Sequence, residues 1–184
     1  MKKLTQIIFL IGFVFCFSDC VEQESIVKTE PSFFDLKEYF ENQLTSLSEV
    51  KRISKTTFVD GKRIEKELDS IDFKQELKVF EESDINRIAW IDKYQVDSIF
   101  NEKGMLSQLI YTATDRKLRT QKLMISFNQS VVDTIEIFND ASGSVAKLEQ
   151  HLSYIPSYGY LIESTQKITL SKEHVLAVDV QFLK

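Results

Sequence analysis

The apolar positions of the chain change period partway along it. Phe33, Leu36, Phe40, Leu44 and Leu47 recur every three or four residues, while Lys37, Glu38, Glu41, Asn42 and Ser48 fall on the other side. That is one apolar stripe at helical period, so an amphipathic helix is expected there. Ser32, with Asp35 three residues on, makes a cap-like start just after Pro31. Residues 53–59 and 62–67 flank Asp60-Gly61 and read as a hairpin, because Asp-Gly tolerates the positive φ angles of a tight turn. A second helix is expected from Asp72, with Asp72 and Gln75 as a cap-like pair and Phe73, Leu77 and Phe80 as its stripe. It weakens at Ser83-Asp84, and residues 85–91, which hold the sole Trp90, have no clear period.

From Tyr94 onward the period is two. Tyr94, Val96 and Phe100 alternate with Gln95 and Asp97; Leu123, Ile125 and Phe127 with Lys122, Met124 and Ser126; Leu176, Val178, Val180 and Phe182 with Ala177, Asp179 and Gln181. One apolar and one wet face is the antiparallel pattern. Turn signals at 102–104, 114–115, 128–129, 139–143, 156–159 and 171–172 delimit about seven strands. A sheet with one apolar face needs a cover. The expected fold is therefore α+β: an antiparallel β-meander of about seven strands, twisted or curled to a half-barrel, with two N-terminal amphipathic helices on its apolar face. Residues 32–184 form one domain in this reading, with 184 residues leaving room for no second one.

The start of the chain is different in kind. Met1-Lys2-Lys3 is cationic, and residues 7–17 are an apolar run of eleven. A spanning helix needs roughly 20 apolar residues, so this run reads as the core of a signal peptide, residues 1–19. Phe17-Ser18-Asp19-Cys20 follows, and residues 20–31 are polar. Here the sequence resembles the envelope lipoproteins of Gram-negative bacteria, in which a cysteine closes the signal peptide and receives the lipid. The resemblance implies that Cys20 is acylated, with Ser18 at the middle of the lipobox, and that the protein is anchored in the cell envelope, at the outer membrane. The other reading is cleavage after Ser18, which would release a soluble exported protein. In the anchored reading residues 20–31 are a polar tether, of which 21–31 reach on the order of 35 Å.

Composition narrows the chemistry further. Both cysteines, Cys16 and Cys20, lie at the leader, so the body has neither disulfides nor thiolate chemistry to draw on. Net charge is −5, or −6 without Lys2, Lys3 and Asp19, and no basic stripe occurs; nucleic acid is not an expected partner. The densest basic stretch, Arg116-Lys117-Leu118-Arg119, reads as a solvated turn. The five glycines build neither a phosphate loop nor a nucleophile elbow. His151 and His174 have no second histidine at ligand spacing, and His151 should stand on the wet side of its strand. No catalytic residue, metal site or cofactor is expected, and the protein is read as not an enzyme.

Two features remain. Strand carboxylates Asp97, Asp133, Glu136, Glu163 and Asp179 could pair as in a glycosidase, or simply solubilise the wet face. Tyr154, Tyr158 and Tyr160 surround one connection, where they could grip glycan or peptide, or pack the end of a hairpin. The expected function is a non-enzymatic binding or accessory module held at a membrane by its lipid, with a protein, glycan or lipid partner. The alternative is a carrier of lipid or another apolar ligand, similar at the level of fold to periplasmic carriers, and a carboxylate-dependent hydrolase ranks last. The first two differ in whether the apolar face is filled by Phe33, Leu36, Phe40, Phe73 and Phe80 or left as a cavity.

Overall fold

A computed structural model describes residues 32–69 and 71–183. The expected signal peptide, Cys20 and the expected polar tether lie outside the described residues. In chain order the elements are α1 (Leu36–Leu47), β1 (Arg52–Val59), β2 (Lys62–Leu68), α2 (Phe73–Glu76), α3 (Lys78–Glu81), a 3-10 turn (Ile88–Trp90), β3 (Tyr94–Phe100), β4 (Leu106–Ala113), β5 (Thr120–Asn128), β6 (Val131–Ser142), β7 (Ala146–Ile155), β8 (Gly159–Ile168) and β9 (His174–Leu183).

All nine strands form one antiparallel sheet in the order β2-β1-β9-β8-β7-β6-β5-β4-β3. The expected seven-strand meander is β3 to β9. The early hairpin joins it along β9 rather than standing apart, pairing Ile53 with Phe182 and Val59 with Leu176. The sheet is open, with β2 and β3 as its edges. The turn of that hairpin has positive φ at both Asp60 (48°) and Gly61 (84°), the geometry that Asp-Gly favours.

The helical layer corrects the expectation in number and position. Three helices and a 3-10 turn replace two helices: the expected second helix is divided into α2 and α3, and the 3-10 turn follows them. Asp35, not Ser32, caps α1, its carboxylate accepting from Glu38 N at 2.8 Å. Phe33 lies outside the helix and packs its ring on Tyr94 and Tyr111. Asp72 does cap α2, accepting from Gln75 N. The expected second helix breaks at Leu77, so Phe73 and Phe80 sit on separate one-turn helices. Phe80 packs near Tyr160 while Phe73 meets Phe182.

Directly opposed residues of neighbouring strands share a face. One such row, Ile125–Ile135–Tyr154–Tyr160–Val180, crosses five strands, and every member is buried. Leu36, Phe40 and Leu47 of α1, with Leu77 and Phe80, lie over this face and are buried too. Phe40 is at the centre, its ring 5.0 Å from Tyr154 and 5.2 Å from Phe80. Each such side chain contributes about 1.5–3 kcal/mol by leaving water. The row ends in Lys55 on β1, a cation on the core side. Glu76 of α2 meets its ammonium at 2.7 Å and also accepts the Tyr160 hydroxyl at 2.9 Å. Asp84 and Asn86, beyond α3, hold the start of α1 by bonds to Leu36 N and Phe33 N.

Burial raises the phenol pKa of Tyr39 and Tyr94 to about 12, and raises those of Tyr111, Tyr154 and Tyr160 as well. A raised phenol pKa in the folded state means that unfolding releases protons, so stability is whole below about pH 10 and falls as pH rises toward 12. Phenolate absorbance and circular dichroism followed together should show these tyrosines ionising with unfolding. Five phenolates forming before any loss of structure would contradict the packing.

Candidate functional site: a trough on the open face of the sheet

The face opposite the helices carries the alternate residues. Two adjacent rows on it are Phe138–His151–Glu163–Ala177 and Asp140–Glu149–Thr165–Val175. A trough of about 500 Å³ is lined by both rows and by Gln121. That volume falls in the roughly 300–1,000 Å³ range of small-ligand clefts.

His151 is its central side chain. Its ring stacks on Phe138 with centroids 4.5 Å apart and planes 7° from parallel. Nδ1 lies 3.1 Å from Glu163 Oε2, directly across on β8. Nε2 lies 3.6 Å from Glu136 Oε1, is shielded from solvent and has no hydrogen bond. The histidine is thus half-buried between two carboxylates rather than free on a wet face, as its parity alone suggests. Asp140 and Glu149 add acid to the second row, and Lys147 pairs with Glu149 at 2.8 Å. The Glu149 carboxylate beside it raises the Lys147 pKa. The trough therefore combines an aromatic–imidazole platform with an excess of carboxylates. Such a surface suits a ligand with a flat or apolar part and a cationic group.

Of the five strand carboxylates singled out in the sequence, the fold brings Glu136 and Glu163 to one histidine. Asp97 stands on edge strand β3, Asp179 lies farther along the Glu136 row on β9, and Asp133 is exposed near the β5–β6 turn. Among the described residues no group of three or more His, Cys, Asp and Glu side chains could hold a metal ion. His174 is elsewhere, at the start of β9, with Nδ1 2.9 Å from Asp60 Oδ2. Asp60 also accepts from Val175 N, and these two bonds hold its carboxyl below the usual range. Trp90 lies under the Arg87 guanidinium, 4.2 Å from its ring centre.

The three tyrosines separate. Tyr154 and Tyr160 are opposed across β7 and β8 and point into the core, 0% and 2% exposed. Tyr154 donates to Gln43 on α1 and Tyr160 to Glu76 on α2. Tyr158, at the turn, is 49% exposed. Even spacing across a turn does not reveal which face each ring takes, because the turn reverses the strand between them.

The Phe138–His151 pair is not legible in the sequence. These residues are brought together by the β6–β7 register, Phe138 opposite His151, and alternation within one strand carries no information on what stands opposite. Family models, characterised proteins and solved structures were compared with the chain, and none matches.

Proposed function

We propose that the protein is an exported envelope lipoprotein, acylated at Cys20, whose domain is a non-enzymatic binding or accessory module that receives its partner in the trough. The contrast between the two sheet faces carries this reading. Leu36, Phe40, Leu77 and Phe80 fill the space over the apolar face, with no exposure. The opposite face keeps an open trough with a stacked ring pair and an excess of carboxylates. A partner segment bearing lysine or arginine next to an apolar side chain complements it. The carrier reading is weaker, since an acyl chain beneath the helices would have to displace side chains already packed there.

The experiment has two arms. Mass spectrometry of the mature chain should find a lipid-modified Cys20 as its first residue; an unmodified Asp19 start would sink the anchor. Envelope proteins recovered with the wild type should be depleted, roughly tenfold, with the variant Glu136→Gln plus Glu163→Gln at unchanged stability, as expected when about 1.4 kcal/mol of attraction is lost. Equal recovery would remove the trough as the site.

A further inference from the structure

We propose that one end of the sheet is a lipid-docking edge, in which the β6–β7 and β8–β9 turns press Val145 and Leu170 into the headgroup region of an anionic phospholipid surface. Two turns act as one unit here, because the Val145 carbonyl accepts both Thr169 N at 2.8 Å and Thr169 Oγ1 at 3.0 Å. Leu170 is fully exposed and has φ +65°; Val145 is 65% exposed. A left-handed turn position favours glycine or asparagine, which avoid the Cβ clash and suit water. A leucine there is neither buried nor conformationally favoured, so its side chain serves something outside the fold.

The surrounding charge names the surface. The next turn, β4–β5, carries Arg116, Lys117 and Arg119 and shares a groove of about 560 Å³ with residues 140–146. Lys167 and Lys172 flank Leu170. Counting Asp115 and Glu173, the residues of these three turns (114–119, 143–145 and 169–173) sum to a net charge of +2 in a chain whose total is −5. The turns at the opposite end, residues 101–105, 128–131 and 155–159, are neutral. Apolar tips within a basic collar bind anionic lipid by shallow insertion plus attraction to headgroups.

The chain also enters at this end. Phe33 packs on Tyr94, the first residue of β3, and on Tyr111, two residues before the end of β4. Insofar as it rests on the proposed anchor at Cys20, the geometry is favourable. Eleven residues, 21–31, separate that cysteine from the domain, a span on the order of 35 Å at most. The start of the described domain and the basic, apolar-tipped turns thus lie at one end of the sheet.

The test uses residues 20–184 carrying Cys20→Ser, so that no acyl chain contributes, in sedimentation with phosphatidylcholine vesicles with and without phosphatidylglycerol. Binding is expected only with the anionic lipid and should fade with added salt. Arg116→Gln with Lys117→Gln should weaken it roughly tenfold to thirtyfold, as two surface cations are worth. Leu170→Asn with Val145→Ser should abolish binding while the thermal midpoint stays level or rises, because asparagine suits the left-handed turn. No binding, equal binding to both vesicle types, or full binding by either variant overturns the proposal. The mature N-terminus tests the anchor separately: an unmodified Asp19 start would remove acylation and leave the vesicle result standing.

Discussion

Gly159→Ala is expected to destabilise the fold by about 3 kcal/mol or more. For a domain of this size that lowers the thermal midpoint by roughly 6–12 °C or more. Gly159 opens β8 opposite Gln181 of β9, with φ +149°. A Cβ built there would stand 1.8 Å from the Val180 carbonyl oxygen, 2.8 Å from its carbon and 3.1 Å from Gln181 Cα. All three are backbone atoms, so no rotamer change relieves the overlap. β9 is also held on its other side by β1, and Phe182 N bonds to Tyr158 O at 2.8 Å beside the glycine. Moving β9 aside would disturb both ladders and the Val180 contact in the core. Gly61→Ala is the control: its φ is +84°, but nothing lies within 4 Å of a new Cβ. Conformational strain alone, about 1–2 kcal/mol, is expected there. Thermal and urea unfolding of the two variants should separate clearly. A loss below about 1 kcal/mol for Gly159→Ala would mean that β8 and β9 do not approach as described.

The two glycines show what was legible. Asp60-Gly61 announces a hairpin turn by composition, and the turn is where the pattern places it. Gly159 reads in sequence as punctuation of the same sort, yet its role is a close approach to Val180 of β9, which only pairing creates. The strands and their faces were legible for a similar reason to Gly61, since alternation is local. Helix α1 was legible from its stripe. The second helix was misjudged because Phe73, Leu77 and Phe80 keep helical spacing across a break at Leu77, and apolar spacing does not require a continuous helix. The hairpin's place beside β9 follows from the long-range pairing of residues 52–59 with 176–183, which no periodicity encodes. The same applies to the candidate site. Glu136, Phe138, His151 and Glu163 alternate correctly with core residues, but their meeting is a fact of register. Cys20 is the opposite case, read from a local motif and lying outside the described residues.

Tyr154→Ala should cost about 3–5 kcal/mol, the usual loss when a large buried aromatic side chain is cut to a methyl group. Its ring lies 5.0 Å from Phe40, 6.2 Å from Phe80 and 6.4 Å from Tyr39, so it joins α1 and α3 to the middle of the sheet. Its hydroxyl, 3.1 Å from Gln43 Oε1, is satisfied by α1 itself. Truncation removes ring and bond together. Tyr158→Ala, by contrast, should change stability by no more than about 0.5 kcal/mol, as exposed sites do. The pair therefore divides the two roles that three tyrosines around one turn can have. Urea unfolding measures the packing role, and recovery of bound partners by the folded Tyr158→Ala protein measures the recognition role. A small loss for Tyr154→Ala would show that the helices do not rest on this ring. Helices that left the ring free would reopen the apolar face to an acyl chain, and the carrier reading with it.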